Sequence, residues 1–328
     1  MTLRTLPRAL LLPLTVSLTG LLAACGGGGS TESPPPPTAG LYAAAQFAEA
    51  QITPHTDVVY STRPNAGRLQ YTSDANKASE VGQPTLRLQL DVFVPPNATA
   101  AAPQPLVVFV HGGGFVQGGK EANRSKALSY AQAGYVAASI NYRLTPDNAS
   151  SQALRVLAQT QAAEDLANAV RFLRHNAGLY HVDAGRVATI GGSAGGALSL
   201  MNAVDADTLP GAVSDFPGVS AKAQAALSTG ATLIDVYDTV GLLSFDADDA
   251  PVLLLHADPT DSSTGATWTG NVLPTQALIQ NAGNTCTLVA QPNMTHGADL
   301  SVSGPYWAAV YPFLYSRLQL AALGAPAP

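Results

Sequence analysis

The sequence predicts an α/β domain built on a mostly parallel central sheet with helices covering both faces. Two observations carry this. Several short runs are continuously apolar and β-branched, as expected of strands buried on both sides. Between them lie longer stretches with helical spacing, and regular alternation of the two is the pattern of crossover connections. Hydrophobic residues make up 46% of the 328 residues and charged ones only 12%, so a sizeable core can form. Alanine and glycine supply much of the apolar fraction, and the percentage therefore overstates the burial energy.

The elements follow in order. Leu41 to Gln51 has helical spacing and few breakers, which predicts a short helix. Leu86 to Val94 alternates apolar and polar residues and reads as a half-buried strand; antiparallel strands are expected in this early region. Leu106 to Val110, Tyr135 to Ile140, Val187 to Ile190, Ala223 to Ser228, Pro251 to Ala257 and Thr285 to Ala290 are the expected buried strands. Helices are expected at Glu121 to Ala133, Ser151 to Asn176, Val272 to Asn281 and Tyr306 to Ala322. In the second of these Leu154, Leu157, Leu166, Val170 and Leu173 form a core-facing stripe.

The first 39 residues read as an address and a tether. Arg4 and Arg8 precede an apolar segment, Ala9 to Leu22, that is short for a membrane span. Leu22-Ala23-Ala24-Cys25 resembles a bacterial lipobox, which implies cleavage before Cys25 and a diacylglycerol on its sulfur. Acyl chains contribute roughly 0.8 kcal/mol per buried methylene, so several of them hold a protein on a membrane. Gly26 to Thr38, GGGGSTESPPPPT, combines flexible and polyproline character and suits a spacer. The expected organisation is a signal peptide over 1–24, a lipidated Cys25 with its tether over 25–39, and one folded body over 40–328. Gly26, rather than aspartate, after the cysteine matches the outer-membrane sorting pattern. The protein is thus expected to be exported, with its membrane contact made through the lipid anchor.

Net charge is −6, which speaks against nucleic acid as a partner, because a phosphate backbone calls for a basic face. Cys286 is the one other cysteine. It reads as a small buried residue, and no His/Cys cluster has the spacing of a metal site.

Chemistry concentrates in two glycine-rich corners. Gly191-Gly-Ser-Ala-Gly195 follows the strand Val187 to Ile190 and precedes a small-residue stretch fit to start a helix. Such a strand-to-helix turn exposes Ser193 as a nucleophile. His111-Gly-Gly-Gly114 follows the strand Leu106 to Val110 and leaves main-chain N–H groups free for a developing oxyanion.

Together these motifs resemble the α/β-hydrolase esterases of the hormone-sensitive-lipase type. Asn141-Tyr-Arg-Leu-Thr-Pro146, the acidic pair Glu164-Asp165, and Asp183-Ala-Gly-Arg-Val187 extend the resemblance. It covers about Val81 to Leu320 and implies an α/β-hydrolase fold, a Ser-His-Asp triad acting through an acyl-enzyme, no cofactor and no metal. Carried over by position, Ser193 is the nucleophile, and Gly113, Gly114 and Ala194 supply the oxyanion N–H groups. His111 is expected to orient its loop rather than act as base. The family order of serine, acid, histidine places the base late in the chain, at His296, with His256 the other histidine beyond the serine. His55, His175 and His181 lie outside any motif.

The acid is expected just past the strand Pro251 to Ala257. The usual family spacing falls on Thr260, leaving Asp261 or Asp258. Asp261 needs one inserted residue and is the preferred reading, with Asp258 the alternative. Asp246, Asp248 and Asp249 precede the strand, at the wrong end of the sheet. The short span from Ser193 to these acids leaves no room for a large lid domain. Any cover is expected from 41–86 or from 264–270, and Trp268 or Trp307 could line a pocket. A lightly covered site suits short or accessible esters, including those on polymers. An amidase or peptidase of the same fold (arylformamidase-like or prolyl-peptidase-like) and a catalytically silent binding lipoprotein are the competing readings.

Overall fold

The computed structural model describes residues 40–209, 211–233, 245–292 and 295–328. The expected leader, Cys25 and the tether lie outside the described residues. Among the described residues eight strands form one sheet: β1 (Thr53–Pro64), β2 (Thr85–Val94), β3 (Gln104–Val110), β4 (Val136–Ile140), β5 (Val182–Gly192), β6 (Ala225–Thr229), β7 (Val252–Ala257) and β8 (Cys286–Gln291). Their order is β1-β2-β4-β3-β5-β6-β7-β8. β1 and β2 pair antiparallel, as do β2 and β4. Every pairing from β4 through β3, β5, β6 and β7 to β8 is parallel.

Period-two geometry explains the unbroken apolar runs. In β3, Leu106, Val108 and Val110 join one core cluster, while Val107 and Phe109 join the other. Leu166, Val170 and Leu173 of the helix Gln152–His175 cover the first face together with Leu198. Ala127 and Tyr130 of the helix Arg124–Ala133, with Val310 and Leu314 of the helix Trp307–Arg317, cover the second. A strand between two helical layers has no polar face to show. Ser151 caps the long helix, its side chain accepting the Leu154 N–H at 3.2 Å. Cys286 opens β8 and is buried; desolvation pushes its thiol up to about 12, so it stays protonated.

Two expectations change. Leu41 to Gln51 forms turns, and helical structure is limited to a short 3₁₀ segment, Glu49–Gln51. The N–H groups of Tyr42 (2.7 Å, to Ala133), Gln46 (2.7 Å) and Phe47 (3.0 Å, both to Gln132) instead bond the last carbonyls of the helix Arg124–Ala133. Those carbonyls have no intrahelical partner. Satisfying them, while burying Leu41, Tyr42 and Phe47, outweighs local propensity. The C-terminal helix is also shorter than expected. It ends at Arg317, and Gln319 turns left-handed (φ 52°) before a short 3₁₀ turn, Leu320–Leu323.

A buried charge network ties the early strands to the long helix. Arg143 bonds Asp165 (2.7 Å) and Glu164 (3.0 Å), and Arg63 bonds Glu164 (2.9 Å) and Asp215 (2.8 Å). Burial works against the Arg143 charge, but the two carboxylates outweigh it and the guanidinium stays protonated. The acidic pair singled out in the sequence is thus architectural. It fixes the segment that carries Tyr142, and Tyr142 in turn contacts the glycine loop.

Candidate active site

β3 and β5 are parallel neighbours with Val110 opposite Gly191, so their C-terminal corners meet. A Cβ on Gly112 would stand 2.8 Å from the Gly192 carbonyl and 3.2 Å from Ser193 Cβ. The two glycine-rich turns therefore pack main chain against main chain. At Gly191 an added Cβ would run into the Gly195 carbonyl, and at Gly195 into the Val110 carbonyl. This close approach explains the glycines on either side of the serine. Ser193 holds φ 53° and ψ −124°, a conformation costly for a residue with a side chain. Its N–H donates to Thr229 O at 2.8 Å, which anchors the corner on β6.

The glycine loop is shaped by its own contacts. Gly113 has φ 114°, and its carbonyl accepts from Val116 (3.0 Å) and Gln117 (3.2 Å). The N–H groups of Gly113 and Gly114 have no acceptor among the described residues. Asn148 Nδ2 donates to Gly114 O at 2.8 Å and steadies the far side. Ala194 is buried and begins the helix Ala194–Asp205, so its N–H is one of the unpaired donors of a helix start.

His111 is buried, stacks on Tyr142 at 4.2 Å, and donates from Nδ1 to Gly112 O at 2.7 Å. Desolvation lowers its pKa to about 4, so the ring is neutral at physiological pH. Tyr142 OH donates to His111 O at 2.9 Å. His111 is an internal strut of the loop.

Of the two candidate aspartates, Asp261 is the one brought against His296. His296 Nδ1 lies 2.7 Å from Asp261 Oδ2. Asp261 is fully buried, and its other oxygen accepts from the N–H groups of Ser263 (2.8 Å) and Thr264 (3.0 Å). Burial raises its pKa, but the His296 hydrogen bond and the two N–H donors outweigh this and hold the carboxyl below the usual range. The alternative acid, Asp258, is exposed at the end of β7 and is not bonded to His296. It stands before the turn that aims position 261 inward. His256 is buried within β7 with Nδ1 against Ala257 O at 3.2 Å, away from this pair.

Ser193 and His296 line one cavity of about 790 Å³. Its walls come from the helix start around Asn123, Lys126 and Ser129, from Gly112, and from the segment after His296. The expected cover from 41–86 or 264–270 does not contribute to this cavity. Trp268 packs against a core cluster, and Trp307 donates from Nε1 to Ala43 O at 2.6 Å and meets Tyr130 edge-on. Both are packing residues.

A serine on a strained strand-to-helix corner, a His–Asp pair whose imidazole lines the same cavity, and a parallel sheet with antiparallel leading strands define the α/β-hydrolase fold. The family model described as BD-FAE matches residues 90–293, and the chain belongs to this family. Esterase LipI of Mycobacterium tuberculosis is 30% identical over 121 residues, covering 37% of this chain and 35% of LipI. Carboxylesterase 3 of Pongo abelii is 32% identical over 111 residues, covering 34% and 19%. The chain thus spans about a third or less of the length of these curated relatives. Among solved structures, Thermogutta terrifontis esterase 2 phosphorylated by paraoxon is similar with a TM-score of 0.59 at 21% identity, covering 84% of this chain and 96% of that one. The propionate-bound form of the same esterase has a TM-score of 0.55 at 22% identity, covering 74% and 92%.

Proposed function

We propose that the protein is a serine carboxylic ester hydrolase acting on short-chain or accessible esters. The observation that carries this reading is the 2.7 Å bond between His296 and a buried Asp261, with the imidazole lining the same cavity as Ser193. Asp261 accepts from Nδ1–H and so leaves the lone pair on Nε2. Ser193 Oγ attacks the ester carbonyl while Nε2 takes its proton. The carbonyl oxygen becomes anionic and is received by the N–H groups of Gly113, Gly114 and Ala194. Collapse of this intermediate breaks the bond to the alcohol, which leaves with the proton from Nε2. Water repeats the sequence on the acyl-serine, releases the acid and restores the serine. Hydrolysing esters from this site requires no further group.

The cavity mixes Asn123, Lys126, Ser129, Thr229 and Asp299 with Phe109, Ile190, Leu300 and Val302, so polar groups interrupt its apolar lining. Across 4-nitrophenyl esters, kcat/KM should peak at acetate to butyrate and fall at least about tenfold by palmitate, since methylenes that meet polar walls instead of a fitted apolar pocket gain no binding free energy. A steady rise from acetate to palmitate would overturn the short-chain assignment.

We further propose that the body is exported and held at the outer membrane by lipid on Cys25, on the strength of the Leu22–Cys25 motif and the tether after it. Replacing Cys25 by serine should move the protein from the membrane fraction to the soluble one and abolish incorporation of labelled palmitate. Membrane retention of the variant would refute the anchor.

A further inference from the structure

Beyond the serine, histidine and aspartate, one buried residue bonds the His296 loop, the start of the Asp261 loop, and Thr229 at the end of β6, which holds the Ser193 corner. Gln291 is the last residue of β8 and has no exposure to solvent. Its main-chain carbonyl accepts the Asp258 N–H at 3.0 Å, where the loop leading to Asp261 leaves β7. Its Oε1 accepts from Thr229 Oγ1 at 3.2 Å, and its Nε2 donates to Gly297 O at 2.8 Å. Thr229 is the residue whose carbonyl holds the Ser193 N–H. Gly297 is the residue directly after His296. The imidazole also lies against Gly230, the residue after Thr229, where an added Cβ would stand 3.0 Å from His296 Nδ1.

We propose that Gln291 is a positioning residue that fixes the His296 loop in register with the Ser193 corner. This rests on the esterase reading above. The physical case is that both ends of the amide are used, and each end reaches a different loop. An apolar side chain of the same length would leave a partly buried carbonyl and a buried hydroxyl unpaired. The base loop would then relax away from the serine corner. Attack geometry is sensitive to such shifts, with about 1 Å of misplacement able to cost about 100-fold in rate.

Gln291→Met keeps the length and removes both hydrogen bonds. On 4-nitrophenyl acetate its kcat should fall about 10- to 100-fold while KM stays within about twofold, because the loss falls on the transition state. The rate of Ser193 capture by a fluorophosphonate should fall in parallel. Asn168→Leu is the matched control: Asn168 is a buried amide on the long helix bonded to Val213 O (2.7 Å) and the Asp215 N–H (3.2 Å). It should lose comparable Tm and keep its kcat. Thr229→Val removes only the hydroxyl, retains the carbonyl that holds Ser193, and should lower kcat by a smaller factor, about three- to tenfold.

A Gln291→Met enzyme with kcat within about twofold of the parent would overturn the proposal, as would a loss no larger than that of Asn168→Leu at equal Tm. Should Gln291→Met not fold, an unchanged kcat in Thr229→Val would overturn it. An unsubstituted protein inert to every ester and to the fluorophosphonate would instead sink the esterase reading itself, so the two failures are distinguishable.

Discussion

Replacing Ser193 by alanine is expected to lower kcat/KM on 4-nitrophenyl acetate by about 10⁴- to 10⁶-fold, the order of loss seen when a member of a catalytic triad is removed. The mechanism leaves no substitute. Attack needs an oxygen at the corner between β5 and the helix Ala194–Asp205, and Thr229, which shares the cavity wall, sends its hydroxyl to Gln291. The N–H groups of Gly113, Gly114 and Ala194 survive the substitution, so a residual rate above that in water remains. Folding should hardly change. Alanine removes only Oγ, and the φ of 53° is imposed by main-chain packing against Gly112 and Thr229 rather than by the hydroxyl. The measurement is therefore a pair: steady-state kinetics with active-site titration, and a thermal melt. Activity above about 1% of the parent in a protein with unchanged Tm would remove Ser193 from the chemistry.

How much of this was legible in the sequence depends on whether the signal is local. The strand β3 and the loop after it are read directly, because burial on both faces demands an unbroken apolar run and three glycines follow at once. Ser193 is legible for the same reason: the close approaches at Gly191 and Gly195 are written as residue types. The segment 41–51 misleads because its N–H groups are claimed by carbonyls more than eighty positions away, which no local propensity reports. β1 is only partly visible. Its first half is polar and mostly exposed, it lies at the edge of the sheet, and its register with β2 shifts twice. Gln291 carried no signal at all. A glutamine at the end of a strand is ordinary, and its value comes from the three loops that the parallel order β6-β7-β8 brings to one end.

The choice between Asp258 and Asp261 lies between these extremes and yields the second large effect. Spacing favours Asp261 only narrowly, since it lies one residue past the position of the family pattern and Asp258 two before it. The physical signal is the Ser262-Ser263-Thr264 run after Asp261, whose N–H groups can wrap one carboxylate oxygen and aim the other. Asp261→Asn is expected to cost about 10⁴-fold in kcat, because the amide no longer enforces the tautomer with Nδ1 protonated and no longer offsets the imidazolium charge. Asp258→Asn, a change at an exposed position, should stay within about twofold.

The same carboxylate predicts a pH signature. Its folded pKa lies below the unfolded aspartate value of about 3.9, because the bonds from His296, Ser263 and Thr264 outweigh burial. A depressed carboxyl stabilises the fold fully above the unfolded pKa, and that contribution disappears as pH drops through the lower folded value. The parent should therefore lose this stability only in strong acid, below about pH 4, and Asp261→Asn should lack that part of the acid-unfolding curve. An enzyme left active by Asp261→Asn and silenced by Asp258→Asn would mean that the 2.7 Å contact with His296 is architectural and that the acid of this site lies one turn earlier.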